Sequence, residues 1–310
     1  MKAHSREISV ALTLGGLLLG LAIFAPSFYQ AQPLLSLAAR EAPTLVAACG
    51  MALVILCRQI DISIGAQFSL CSVCAGLLTG AHWPFPLVLS ASITMGASLG
   101  ALNGSLVAGL GLPSIVVTLA TMVTWREGLR WLRQGTWVDL PEGSQWFGLR
   151  QSAGQWTLIV LAFTVLVLLA LAMKHLAAGR FIYAVGSDAE AARLAGIRPR
   201  RITFAVFVLA GALAGLAAMM NLAQSPQVDP NSGTGLELKT IAAVVVGGVA
   251  ISGGRGNLWG VFAGLLLLAC VGPALTHLHV EAYWEKAIQG SVILLAVVAD
   301  GGHRSNPGAG

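Results

Sequence analysis

Long stretches of this chain contain no charged side chain, among them residues 62–125, 202–228 and 256–280. Each exceeds the ~20 apolar residues that an α-helix needs to cross a hydrocarbon layer. A soluble fold cannot hide that much uninterrupted apolar sequence, because its surface needs charged groups. Charged residues make up 10% of the 310, against about 25% in a soluble domain. The chain therefore reads as an all-α polytopic membrane protein, with one transmembrane domain over residues 1–310. The net charge of +5 is then a topology signal and not a nucleic-acid signature.

Prolines, glycines and charged clusters divide the chain into about ten spans. They fall at residues 8–25, 43–57, 62–80, 87–109, 112–124, 156–173, 202–224, 238–251, 258–274 and 287–298. The 238–251 span is short for a perpendicular crossing, so it is tilted or packed against protein. Residues 27–41 read as a surface segment. Residues 125–155, with Trp125, Trp131, Trp137, Trp146 and four arginines, read as a surface-lying amphipathic piece. The first span follows Lys2 and Arg6 and fits a signal peptide by pattern. The many later spans and the lack of a clean small-residue cleavage site favour a retained helix.

Charge orients the spans. Lys2, Arg6, Arg58, the loop 174–201, Arg255 and Arg304 fall on one side of a ten-span chain. The positive-inside rule makes that side cytoplasmic, so the chain is N-in and C-in. Arg40 and the group Arg126, Arg130, Arg133 and Arg150 fall on the other side, against the rule. The halves also show a faint symmetry. Four short or Gly-broken spans precede the 125–155 segment and four follow the central loop, with Asp61 and Glu237 at similar openings. Discontinuous segments in matching halves mark substrate sites in transporters.

The loop 174–201 is the long basic segment between apolar blocks. It holds Lys174, Arg180, Arg193, Arg198, Arg200 and Arg201 against Asp188 and Glu190. Ser187 or Asp188 suits a helix N-cap, and Glu190 in the first turn suits the helix dipole. Ala189, Ala191, Ala192 and Ala195 favour helix with small side chains, and Gly196 stops it. The spacing predicts a short helix over residues 188–195. It fits an ordinary amphipathic cytoplasmic helix, but its small residues fit better to insertion into a groove on a motor subunit.

Other chemistry is thin. The four lysines, Lys2, Lys174, Lys239 and Lys286, never follow a glycine, so no phosphate-binding loop is present. ATP hydrolysis then belongs to a partner, and no cofactor is expected. Cys49, Cys57, Cys71, Cys74 and Cys270 read as small packing residues. His277 and His279 diverge on a helix and make a poor metal pair. Asp61 and Glu237 lie near membrane boundaries, where an acid serves as a cap or an interface anchor; Ser63 and Ser232 are further cap candidates. No charge falls deep inside the main spans, which argues against an ion-coupled transporter.

Four ordered blocks carry a family resemblance. RQIDISIGAQFSL (58–70), PSIVVTLATM (113–122), GRFIYAVGSDAEAARLAGI (179–197) and GTGLELKTIAAVVVGGVAISGGRGNLWG (233–260) resemble segments of the permease subunits of ribose-type ABC sugar importers. GSVILLAVVAD (290–300) resembles that family's final span. The resemblance implies the ribose/B12-type permease fold in a bacterial inner membrane. It makes Gly186, Asp188, Glu190, Ala191, Ala192, Arg193 and Gly196 the helix that couples to the ATPase. It gives Asp61, Gly65, Glu237, Gly247, Gly248, Gly253 and Gly254 gating or structural roles. The implied partners are a pair of cytoplasmic ATP-binding subunits, a periplasmic sugar-binding protein, a second permease copy or paralogue, and membrane lipid, with no nucleic acid. Arg58-Gln59 and Asp188 depart from the main pattern. Those departures and the stretch 123–141 look most like the rhamnose branch and, more loosely, the autoinducer-2 permeases, so rhamnose is the expected cargo.

Overall fold

A computed structural model describes residues 26–277, together with 15–16, 19–23 and a few positions between 284 and 294. The expected first span (8–25), last span (287–298), His279 and the tail 303–310 lie wholly or largely outside the described residues. The helices are α1 (Ala31–Leu56), α2 (Ile64–Gly80), α3 (Phe85–Gly104), α4 (Ser114–Arg133), α5 (Gln151–His175), α6 (Ala177–Ser187), α7 (Ala189–Leu194), α8 (Pro199–Leu222), α9 (Leu236–Val246) and α10 (Leu258–His277). A π turn, Ser105–Gly109, prolongs α3. Two short strands, β1 (Val138–Asp139) and β2 (Gln227–Val228), pair antiparallel. Among the described residues, α1, α3 with its π turn, α5, α8 and most of α10 are long and apolar enough to cross a membrane, and α2 is a shorter apolar helix.

Helix α1 is the hub. Every residue from 41 to 56 is buried, which matches a helix that is apolar all round. It packs against α8, α5, α9 and α10. The sequence suggests a span starting at Pro43, but the helix runs through it from Ala31. A proline removes the hydrogen bond to the carbonyl four residues back. Here that carbonyl is Ala39, and the Gln224 side chain donates to it at 3.0 Å. The surface segment expected at 27–41 is therefore mostly the start of α1.

Lipid chains are as apolar as leucine, so helices in a membrane associate through close packing of small residues. The antiparallel pair α3 and α8 shows this directly. Gly96, Gly100 and Gly104 recur every fourth residue on α3, and Gly211 and Gly215 do so on α8. A Cβ at Gly96 would strike the Gly211 carbonyl, and one at Gly211 would strike that of Gly96. Ser92 Oγ donates to the Gly215 carbonyl at 2.8 Å.

The other correction concerns α4. The sequence ends this span near Thr124, but the helix continues to Arg133. The first part of the expected surface piece is thus an extension of α4, closed by Gln134 in the left-handed region. Beyond it, β1 packs on Gly76 near the end of α2.

Replacing Gly211 with Leu should prevent accumulation of folded protein, read by thermal melting in detergent. Gly109→Leu, where nothing lies within 4 Å of the added carbon, should melt like the parent chain.

Candidate functional site

Two places gather the residues singled out in the sequence. The first is the end of the molecule that carries the loop 174–201. Asp188 caps α7: its carboxylate accepts from the Glu190 and Ala191 N–H groups at 2.9 and 3.0 Å. The helix covers 189–194, and Gly196, with φ +83°, closes it through the Ile197 N–H bond to the Ala192 carbonyl. Glu190 and Arg193 pair one turn apart on its exposed face. The Arg193 hydrogen bond holds the Glu190 carboxyl below its ordinary range. Because that shift is downward, the pair is complete at neutral pH and is lost only as pH falls through the lowered value. Ala192 is buried beneath α7, whereas Ala191 is exposed and Leu194 is 78% exposed.

Helix α6 precedes α7 and went unseen in the sequence, because Gly179 and Gly186 look like helix breakers. Both serve close approach instead. A side chain at Gly186 would strike the Leu56 carbonyl at the end of α1, and one at Gly179 would strike the Met173 backbone. The SGGRGN turn seats against the same point. Gly254 N–H bonds the Leu56 carbonyl at 2.9 Å, and Gly254 adopts φ +70°. Gly253 packs on Arg58 and on the Gly186 carbonyl. The structure thus brings Gly186, Gly253 and Gly254 together beneath α7.

The second place lies inside the molecule, where two spans are broken. Residues 59–62 are non-helical before α2 begins at Ile64. Residues 230–235 form turns before α9 begins at Leu236. The N-terminal ends of these two helices meet. A Cβ on Gly65 would strike the Gly233 carbonyl and the Glu237 carboxylate, and one on Gly233 would strike the Gly65 carbonyl. Ser69 Oγ accepts the Gly233 N–H at 3.0 Å. Asp61 is 1% exposed and accepts from Ser63 N, Ser63 Oγ and Gln67 Nε2 at 2.9, 2.5 and 2.8 Å. Glu237 Oε1 pairs with Arg126 Nη2 at 3.1 Å. Asp61 and Glu237, which stand at similar openings in the sequence, thus lie at the ends of two helices that touch.

A family model described as the permease component of branched-chain amino acid transport systems matches residues 34–297. The chain belongs to this family. It is 32% identical over 298 residues to the autoinducer 2 import system permease protein LsrC of Enterobacter sp. (strain 638), covering 96% of this chain and 87% of that relative. It is 32% identical over 280 residues to the ribose import permease protein RbsC of Escherichia coli (strain K12), covering 89% and 87%. The LsrC of Salmonella paratyphi B is 34% identical over 262 residues, covering 83% and 75%. No solved structure matches.

Several expectations for this permease need correction at the junction. Charge does lie deep between its helices. Glu41 pairs with Lys239 at 2.8 Å, and Glu237 with Arg126, all four at most part-exposed. Glu41 and Arg126 look like loop residues in sequence but sit on α1 and α4. Asp61 and Glu237 are interior groups and not interface anchors, although Asp61 does cap locally through Ser63. Neither Ser63 nor Ser232 caps a helix with its side chain: Ser63 makes no cap bond, and α9 is preceded by Gly235. Gly247 packs on the Gly260 backbone of α10, which fixes the α9–α10 pair, and Gly248 follows it in the turn.

Breaking a buried ion pair by removing one partner costs about 3–5 kcal/mol, because a charge is left uncompensated. Glu237→Leu should therefore destabilise the permease more than the double change Glu237→Leu/Arg126→Leu. A double-mutant cycle by thermal unfolding reads the difference.

Proposed function

We propose that this permease is the transmembrane subunit of a binding-protein-dependent ABC importer that carries a monosaccharide across the bacterial inner membrane. The observation that carries this reading is α7: a capped, exposed two-turn helix that follows directly on the end of α6, where Gly186 and Ser187 pack against the Leu56 carbonyl of α1 and against Gly254 of the 252–257 turn. A helix so seated presents Ala191, Arg193 and Leu194 outward and has little freedom to move independently of α1. It suits docking into a groove on an ATP-binding subunit. On this reading the loop end is cytoplasmic, the spans number ten with both termini inside, and the passage forms against a second permease copy or a paralogue. A periplasmic binding protein delivers the cargo to the opposite end. The permease makes and breaks no covalent bond.

The cargo is a small polyhydroxylated ring. Relatives are named for ribose and autoinducer 2, and the 123–141 stretch supports rhamnose as the first candidate. Direct binding of ribose, rhamnose and autoinducer 2 to the cognate binding protein ranks them.

A second reading, ion-coupled transport, draws on Asp61, a buried carboxylate that accepts from the neutral groups of Ser63 and Gln67. Energy source separates the two. Uptake in the first reading stops when the partner ATPase is inactivated and survives collapse of ion gradients; the opposite pattern selects the second.

Ala191→Trp should leave the permease in the membrane but abolish both uptake and stimulation of the partner's ATPase. Unchanged transport in that variant removes α7 from the coupling role. The purified permease alone should hydrolyse no ATP, and partner-free turnover would contradict the subunit assignment.

A further inference from the structure

One face of α4 is exposed along its length, and its chemistry changes partway. Ile115, Val116, Leu119 and Val123 are exposed and apolar, as expected of a surface against lipid or another protein. Above them come Thr124, exposed, and then Glu127 and Arg130, whose side chains are 58% and 50% exposed. On the permease reading α4 crosses the membrane, and these charged groups lie below its outer end. Arg130 Nε bonds Asn231 Oδ1 at 3.2 Å, and Asn231 is two residues from Gly233, which touches Gly65 and Ser69 on α2. From Ser69 to the end of α2 at Gly80 the helix rises about 16 Å, at about 1.5 Å per residue. Asn231 and Gly233 lie in one turn, and two residues recover at most about 7 Å of that. Asn231 and Arg130 therefore sit on the order of 10 Å below the end of α2, where Trp83 and Phe85 mark the interface.

Half-exposed charges at that depth cannot face hydrocarbon, since an ionised side chain is costly there and is found facing a cavity or the bundle interior. Among the described residues nothing covers them, and on the permease reading they face water in the assembled transporter. The groups are also ordered. Glu127 Oε1 accepts from Arg130 Nη1 at 2.9 Å. Asn231 is held by Asp229, whose Oδ1 accepts the Asn231 backbone N–H at 2.8 Å. The result is a row of a carboxylate, a guanidinium and an amide, joined by hydrogen bonds and charge-balanced between Glu127 and Arg130.

We propose that Glu127, Arg130 and Asn231 form a sugar-binding subsite on the wall of the aqueous passage. A carboxylate accepts two hydroxyl protons, and a guanidinium donates in a fixed fork. A neutral polyhydroxylated ring is matched by such a row without adding charge, and the mutual bonds hold the groups in place before it arrives. The proposal rests on the permease reading, and it names a cargo contact that this reading leaves open.

The test uses the complete transporter with its ATP-binding and binding-protein partners in proteoliposomes. Glu127→Cys should react with a charged, water-soluble thiol reagent roughly tenfold faster than Leu168→Cys, because thiol modification requires an accessible thiolate. Leu168 is 61% exposed on α5 and serves as the lipid-facing control. Ribose or rhamnose, whichever is carried, should slow the labelling. Glu127→Gln should raise KM for that sugar about tenfold with kcat retained, as expected from losing a charged hydrogen bond. Labelling as slow as at the control position overturns the passage, and an unchanged KM overturns the subsite. If the parent transporter imports neither sugar while Glu127→Cys labels rapidly, the cargo assignment fails and the aqueous wall stands.

Discussion

Non-helical backbone inside a membrane must find hydrogen-bond partners in the protein, because lipid offers none. This chain breaks two spans at depth, and the rest of the structure serves those breaks. Ile60 N–H is accepted by Ser114 Oγ at 3.2 Å and Ile62 N–H by Thr118 Oγ1 at 3.1 Å. Two hydroxyls one turn apart on α4 thus replace the helical partners of the first broken segment. Ser69 does the same for Gly233 in the second. The breaks are possible only because α4 begins beside the first segment and α2 runs beside the second. The extended stretch at 59–62 and the first turn of α4 are, in effect, one hydrogen-bonded unit.

Electrostatics then decides how the two half-helices meet. Each helix N-terminus carries roughly half a positive charge, so bringing two together is unfavourable unless acids accompany them. Asp61 stands just before α2, and Glu237 lies in the first turn of α9. The backbone contact of Gly65 with Gly233 brings those ends close enough for both acids to act. Glu237 is offset in turn by Arg126, and Lys239 on the next face of α9 by Glu41. Each charge follows from the one before it. This is why a chain with few charges keeps several of them between its helices.

The parts that were legible in sequence are those fixed by neighbours in the chain. Asp188, the alanines and Gly196 specify α7 within ten residues, and its cap and stop are where the residue types put them. Charge-free runs revealed the apolar helices for a similar reason. What escaped depends on distant partners. Nothing near Arg126 says that its counter-ion is Glu237, and without that pair the charged end of α4 looks like a loop. Nothing near Pro43 says that Gln224 will take the freed carbonyl. Gly179 and Gly186 resemble breakers until the Met173 and Leu56 backbones beside them are known. The matching positions of Asp61 and Glu237 were visible as a pattern, but the junction of their helices was not, since Gly65 meets Gly233 across about 170 residues of chain.

Helix α9 joins the two candidate places. One end carries Glu237 at the junction; the other leads through Gly247 into the turn that bonds Leu56 beneath α7. It is only three turns long, and both its ends are fixed by backbone contacts, Gly233 on Gly65 and Gly247 on Gly260. Close-packed contacts of this kind have no slack to absorb a displacement. On the importer reading, a pull on α7 therefore acts through Gly186 and Gly254 on α1 and the turn, and reaches the junction along α9 as a nearly rigid strut. Glu237 and Arg126 bridge α9 to α4, the helix that bears Glu127 and Arg130. On that reading α7 and the Glu127–Arg130 row are linked through α6, the 252–257 turn, α9 and one ion pair.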